Sequence, residues 1–352
     1  MKGKIVLFLF IAFFLFCSGQ IFGWFRADKA AANLSSVVAP VVEKKEYVPQ
    51  KVIFVGDMMF DRGVEALMKS NSFTYPVEKI KDFLNGFDFS VGNLEGPINE
   101  KPKEFSDASM TFSFDKKSVD SLRLGNFKVV SLANNHTLNM ERKGLEETKT
   151  ILTDSGIGFS GDPIECDADY IYQKDGITFY SVNVTYPNNC SNAEIAKWIE
   201  ETKFYNPETL FVVLVHWGTE YQTVSSKSQQ ALAHAMIDAG ADLVIGGHPH
   251  VVEEVEKYNN KLIFYSLGNF IFDQYFSKET QEGLGVGVEI YPDKQVYSLY
   301  PIKNKLAQPQ LMDEEEKTAF LESLADNSSD DIKENIKSGK IEISERASEI
   351  KE

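Results

Sequence analysis

Several short apolar runs in this chain are each followed at once by a side chain able to bind a metal or move a proton. Ala241–Ile245 leads into Gly246-Gly247-His248-Pro249-His250, and Phe211–Val215 leads into His216-Trp217-Gly218. Lys128–Leu132 leads into Ala133-Asn134-Asn135-His136, Phe87–Val91 into Gly92-Asn93-Leu94-Glu95-Gly96, and Val52–Val55 into Gly56-Asp57. Such runs read as buried strands. They alternate with helical stretches such as Glu141–Leu152 and Gln229–Ala239, which specifies an α/β domain. In sheets of that class, ligands bind outside the carboxyl ends of the strands. The fold must therefore deliver these polar groups to one edge.

Each group has chemistry suited to that edge. His248 and His250 stand two residues apart, a ligand spacing for a transition metal, with Pro249 stiffening the link. Asp57 and Glu95 offer carboxylates, the second able to bridge two cations. Asn135 offers a neutral carbonyl oxygen. His216 closes its strand with an imidazole, and His136 is suited to ligation or to acid–base work. A lone histidine after a strand is usually structural, but structural histidines have no reason to recur at strand ends beside glycines. His234 provides the contrast: it lies mid-helix in Ala231-Leu232-Ala233-His234-Ala235 and reads as a surface or packing residue.

Six ordered motifs carry a family resemblance. They are Gly56-Asp57-Met58-Met59 with Arg62, Asn93-Leu94-Glu95-Gly96-Pro97, Ser131-Leu132-Ala133-Asn134-Asn135-His136, His216-Trp217-Gly218-Thr219-Glu220-Tyr221, Gly247-His248-Pro249-His250 and Tyr265-Ser266-Leu267-Gly268-Asn269-Phe270. Between about Val52 and Ile302 the chain resembles the CapA (PgsA) family of capsule and poly-γ-glutamate synthesis, which is similar to the calcineurin-like metallophosphoesterases. The resemblance implies a four-layer α/β/β/α sandwich of two mixed sheets. It implies one or two divalent ions (zinc, manganese or iron), with Asp57 and His250 serving one and Asn135, His216 and His248 the other. Glu95 takes the bridging place, His136 that of the acid for the leaving group, and Arg62 is placed to pair with a substrate carboxylate or phosphate. Two departures stand out. Met59 occupies a position where the phosphoesterases carry a ligating histidine, and Glu95 replaces their bridging aspartate. Either one metal remains, or Asp61 or a water completes the first site. Implied partners are a polyanionic capsule polymer or its intermediates, and membrane synthase subunits.

The ends of the chain read differently. Lys2 and Lys4 precede an apolar run from Ile5 to Phe25, roughly 30 Å as a helix and about one bilayer core. The rival is a cleaved signal peptide, whose apolar core should be shorter and end in a small-x-small site; no such site follows directly. Residues 1–26 are therefore expected to be a single-pass membrane anchor, 27–50 a linker, and 51–310 an extracytoplasmic domain. Residues 311–352 are charged, helical at Glu314–Leu324, and expected to be partly disordered beyond Asn327. Cys166 and Cys190 are the only thiols past the anchor, and the sequence is compatible with a disulfide or with two free thiols. The net charge of −16 disfavours nucleic acid and repels any polyanion that lacks a metal or a local cation such as Arg62 to meet it.

Overall fold

The computed structural model describes residues 47–104 and 109–344. The expected anchor at 1–26 and nearly all of the linker lie outside the described residues. Among those described, no helix is long and apolar enough to cross a membrane.

Two mixed sheets form the centre. The larger runs Gln308–Leu311, Lys294–Lys305, Glu282–Ile290, Gln50–Met58, Phe89–Leu94, Phe127–Ser131, Gly158–Ser160. Its last four strands are parallel, and the long hairpin of Glu282–Ile290 and Lys294–Lys305 joins antiparallel. The smaller sheet runs Val255–Tyr258, Lys261–Phe264, Leu243–Gly247, Leu210–His216, Ile177–Asn183, Tyr172–Lys174, parallel in the middle and antiparallel at both edges.

Strand periodicity explains the layers. In Gln50–Met58, Val52 and Phe54 enter the core between the sheets, while Ile53 and Val55 enter a second core on the opposite face. A strand buried on both faces must be apolar throughout, which is why these runs do not alternate with polar residues. Phe54 and Phe89 of the larger sheet meet Phe179 of the smaller at ring separations of 6.5 and 6.4 Å. The outer face of the larger sheet is covered by Arg62–Ser70, Val119–Leu124 and Glu141–Asp154, which contribute Val64, Met68, Leu122, Leu145 and Leu152. Asn192–Tyr205 and Lys227–Asp238 cover the smaller sheet with Ile195, Ile199, Leu232 and Met236. The expected α/β/β/α layering is present, and each fully buried aliphatic or aromatic side chain adds roughly 1.5–3 kcal/mol.

The tail departs from its expected disorder. After the helix Glu314–Asn327, Lys340–Ser344 adds to the larger sheet beside Lys294–Lys305. Leu321, Leu324, Ile332, Ile336, Ile341 and Ile343 all enter the core between the sheets. The charged composition hid a period of two, with Ile341 and Ile343 inward and Lys340, Glu342 and Ser344 exposed. Residues 345–352 lie outside the described residues.

The helix Asn192–Tyr205 was likewise not anticipated, although Ser191 and Glu194 form a reciprocal capping box at its start. Just ahead of it, Cys166 and Cys190 form a disulfide. Closing a loop of this length constrains the unfolded chain by about 3 kcal/mol.

Candidate metal centre

The carboxyl ends of the parallel strands from both sheets meet at one place, and glycines make the approach possible. A Cβ on Gly56 would sit 1.8 Å from the Gly268 carbonyl oxygen, and one on Gly246 would sit 1.9 Å from that of Tyr265. A Cβ on Gly247 would fall 2.7 Å from Asp57 Oδ1, so the smaller sheet can seat against Asp57 only with glycine there. Just beyond, His248 and His250 have φ of 95° and 60°. Non-glycine residues in this region carry strain of about 1–3 kcal/mol each, which surrounding contacts must offset. The loop is held by the His248 N–H donating to Asp57 Oδ2 (3.0 Å), Trp217 N–H to the Gly247 carbonyl (3.1 Å) and Tyr221 N–H to the Pro249 carbonyl (2.8 Å).

Asp57, Glu95 and His250 converge so that one potential ligand atom from each lies within 4.8 Å of the others. Both carboxylates are fully buried. Asp57 Oδ1 accepts from the Asn93 amide at 2.8 Å, and its Oδ2 lies 3.6 Å from His250 Nδ1. Glu95 Oε1 lies 3.7 Å from His250 Nε2 and 3.9 Å from His136 Nε2, with no hydrogen-bond partner among the described residues. On the other side, His216 Nε2 is 2.9 Å from Asn135 Oδ1, and the His216 and His248 rings are 4.8 Å apart. His248 Nδ1 is buried and also lacks a partner among the described residues.

Burial sets the protonation states. It pushes Asp57 up to about 6, against the hydrogen bonds from Asn93 and His248. It pushes Glu95 well above the usual carboxylate range, aided by the charges of Asp57 and Glu220. Burial also depresses the histidines: His136 and His248 to about 4, His250 to about 3, and His216 well below its ordinary value. The imidazoles are thus neutral, the form that ligates metal. Two costly buried carboxylates, neutral nitrogens and two orphaned polar atoms are the donor set a divalent cation satisfies, so the residues present fit such an ion.

Other sequence expectations fall out unevenly. Met59 is fully buried in the outer core of the larger sheet, and its sulfur accepts the Asp61 N–H. Asp61 does not take the missing ligand's place: its carboxylate caps the helix Arg62–Ser70 and accepts the Ser113 N–H at 2.7 Å. Arg62, expected to meet a substrate anion, is instead paired with Asp273, and its guanidinium lies over Phe112 and Phe272. His234 stands apart, bonded to Glu256 at 2.8 Å and stacked on Tyr258.

Three asparagines that frame the centre were visible in the motifs but given no role. Asn134 donates to Asn93 Oδ1 and the Leu94 carbonyl, and its own oxygen accepts the N–H groups of His136 and Thr137. Asn93 reaches Asp57, and Asn269 reaches His250 Nδ1 at 3.0 Å.

The matched region in sequence comparison encloses this whole constellation: the bacterial capsule synthesis protein family, PGA_cap, matches residues 51–274. The chain belongs to that family. The capsule biosynthesis protein CapA of Bacillus anthracis is 29% identical over 272 residues, 71% of this chain and 66% of that protein. The PGA biosynthesis protein CapA of Bacillus subtilis is 32% identical over 252 residues, 66% of this chain and 65% of that one. The chain thus spans just under two thirds of either relative's length. A probable polyglutamine synthesis accessory protein of Mycobacterium tuberculosis is 34% identical over 67 residues, 19% of this chain and 18% of that protein. Among solved structures, a purple acid phosphatase from yellow lupin seeds aligns with a TM-score of 0.38 at 12% identity, over 76% of this chain and 53% of that one. Vps29 of Chaetomium thermophilum aligns at 0.37 and 10% identity, over 86% and 98%. At these scores the layer arrangement rests on the sheets themselves.

Proposed function

We propose that this capsule-family chain is a membrane-tethered, extracytoplasmic component of capsule or poly-γ-glutamate production, with a divalent-metal site acting on the polymer or its intermediates. The observation that carries the reading is the buried Asp57–Glu95–His250 cluster with its orphaned Glu95 oxygen. Asp57, Glu95 and His250 would hold one ion, with Asn135, His216 and His248 as the donors for a second. When bound, the metal supplies Lewis acidity toward a carbonyl or phosphoryl oxygen. Asp57 and Glu95 bring negative charge, and the surrounding protein keeps that charge out of water. His136, neutral and held against Phe112 at a ring distance of 4.3 Å, is placed to exchange a proton at Nε2. Arg62 is already paired with Asp273 and only its buried Nε lacks a hydrogen-bond partner among the described residues, so on this acidic protein the bound metal would supply most of the positive charge that an anionic substrate needs. The Cys166–Cys190 disulfide agrees with an oxidising compartment.

A second reading, a noncatalytic partner within a membrane synthase complex, is favoured by Met59, which replaces a ligand with a core side chain. Polymer output separates the two. In a strain lacking the gene, full-length chain should restore surface polymer, whereas Asp57→Ala should leave it near the level of the deletion. Wild-type output from a normally expressed Asp57→Ala protein would overturn the enzymatic reading and leave the scaffold.

A further inference from the structure

Two asparagines outside the metal-ligand set have amide orientations fixed by main-chain groups. Asn139 Oδ1 accepts the Phe112 N–H at 2.7 Å, so the atom there is the oxygen. The same oxygen lies 3.1 Å from His136 Nδ1. Asn269 is almost wholly buried, and its amide nitrogen donates to the Thr280 carbonyl and to Gln274 Oε1, both at 3.0 Å. A main-chain carbonyl can only accept, so the oxygen of Asn269 is the atom facing His250 Nδ1 at 3.0 Å.

We propose that Asn139 and Asn269 are positioning residues that lock His136 and His250 as Nδ1–H tautomers, so that both Nε2 lone pairs converge on Glu95 Oε1. An Nδ1 lone pair facing an amide oxygen at 3.0 or 3.1 Å would be repelled, whereas an Nδ1–H in the same place donates to it. A neutral imidazole with its proton on Nδ1 carries its lone pair on Nε2. Those two Nε2 atoms lie 3.9 and 3.7 Å from the same unpartnered carboxylate oxygen. His250 is thereby assigned Nε2 as its ligating atom. His136, read from sequence as an acid, presents an acceptor in the metal-free protein and must first take up a proton before it can donate one.

The use of this arrangement rests on the metal reading above, but the tautomers themselves are read without metal. The test is nitrogen-15 NMR of the chelator-treated, full-length chain carrying labelled histidine, at about pH 7.5. His136 and His250 are expected to show Nδ1–H, with Nε2 unprotonated. Asn139→Leu should abolish that signature at His136 alone, Asn269→Leu at His250 alone, and Asn139→Asp, which keeps the acceptor, should retain it. Nε2–H on either histidine in the wild type would overturn the proposal, and that measurement needs no variant to fold. Cobalt(II) titration of the same proteins keeps the two readings apart. Asn269→Leu should weaken binding about 10–100-fold. Unchanged affinity in that variant would overturn the positioning role, whereas no cobalt binding by the wild type would overturn the metal centre and leave the tautomer result standing.

Discussion

Replacing His250 with alanine is expected to weaken divalent-metal binding by at least about 100-fold while leaving the fold in place. His250 is the one nitrogen donor in the converging trio, and the two carboxylates beside it are fully buried. Without its ring, Asp57 and Glu95 would face each other with less to hold a cation between them, and burial would favour their protonated forms. His234→Ala is the matched control. It removes a half-buried imidazole bonded to Glu256 and stacked on Tyr258, remote from the cluster, and should leave affinity unchanged. Calorimetric titration of both variants with zinc or manganese measures the difference. Equal losses in the two would mean that His250 acts through general stability and not as a ligand.

The second large effect is on pH dependence. Metal sites rich in histidine usually lose affinity as imidazoles protonate near their ordinary range. Here burial has already driven His248 to about 4 and His250 to about 3, so they compete for protons only in strong acid. The groups that must give up protons to bind metal are the carboxylates, with Asp57 raised to about 6 and Glu95 raised well above its ordinary range. Affinity should therefore fall about tenfold per pH unit below about 6 from Asp57 alone, and more steeply wherever Glu95 is also protonated. The same shift has a stability sign. An acid whose folded-state pKa is raised contributes stability that is fully present below its unfolded value and is lost as pH rises through the folded one. For Asp57 that loss falls between about pH 4 and 6 and amounts to about 3 kcal/mol in the metal-free protein. Metal binding at neutral pH offsets it. Titrations at about pH 5 to 8, in buffers of different ionisation heat, count the protons released. Affinity that stays flat from about pH 7 to 5 would contradict the assignment.

Much of the centre is legible in the sequence because its ligands obey a local rule. Asp57 and His216 lie at the carboxyl ends of their strands, and Glu95 and the His248/His250 pair just past theirs, and strand ends are what a one-dimensional reading locates best. The glycines at 56, 246 and 247 are legible for the same reason, although the backbone and side-chain atoms that demand them lie on other strands. What escapes is whatever depends on a distant partner. Asp273 holds Arg62 across 211 residues, and nothing near Arg62 in sequence announces it. Asn93, Asn134 and Asn269 stood inside the motifs, yet their work is to orient other side chains through amides whose direction only the folded backbone sets. The tail escaped for a different reason. Its charge suggested solvation, while two isoleucines at alternate positions were enough to add a strand to the larger sheet. Asp61 shows the converse limit: it had the right chemistry for a missing ligand, but its carboxylate is spent on a helix cap and on Ser113.

The most direct test of the metal centre is elemental analysis of the purified full-length chain, as isolated and after reconstitution with zinc, manganese or iron. At least one divalent ion per chain in the wild type, lost in His250→Ala and retained in His234→Ala, is the expected result. A well-folded wild type that holds none of these metals under either condition would contradict it, and would leave the buried Asp57–Glu95–His250 cluster without the ion that its geometry and protonation states are built to receive.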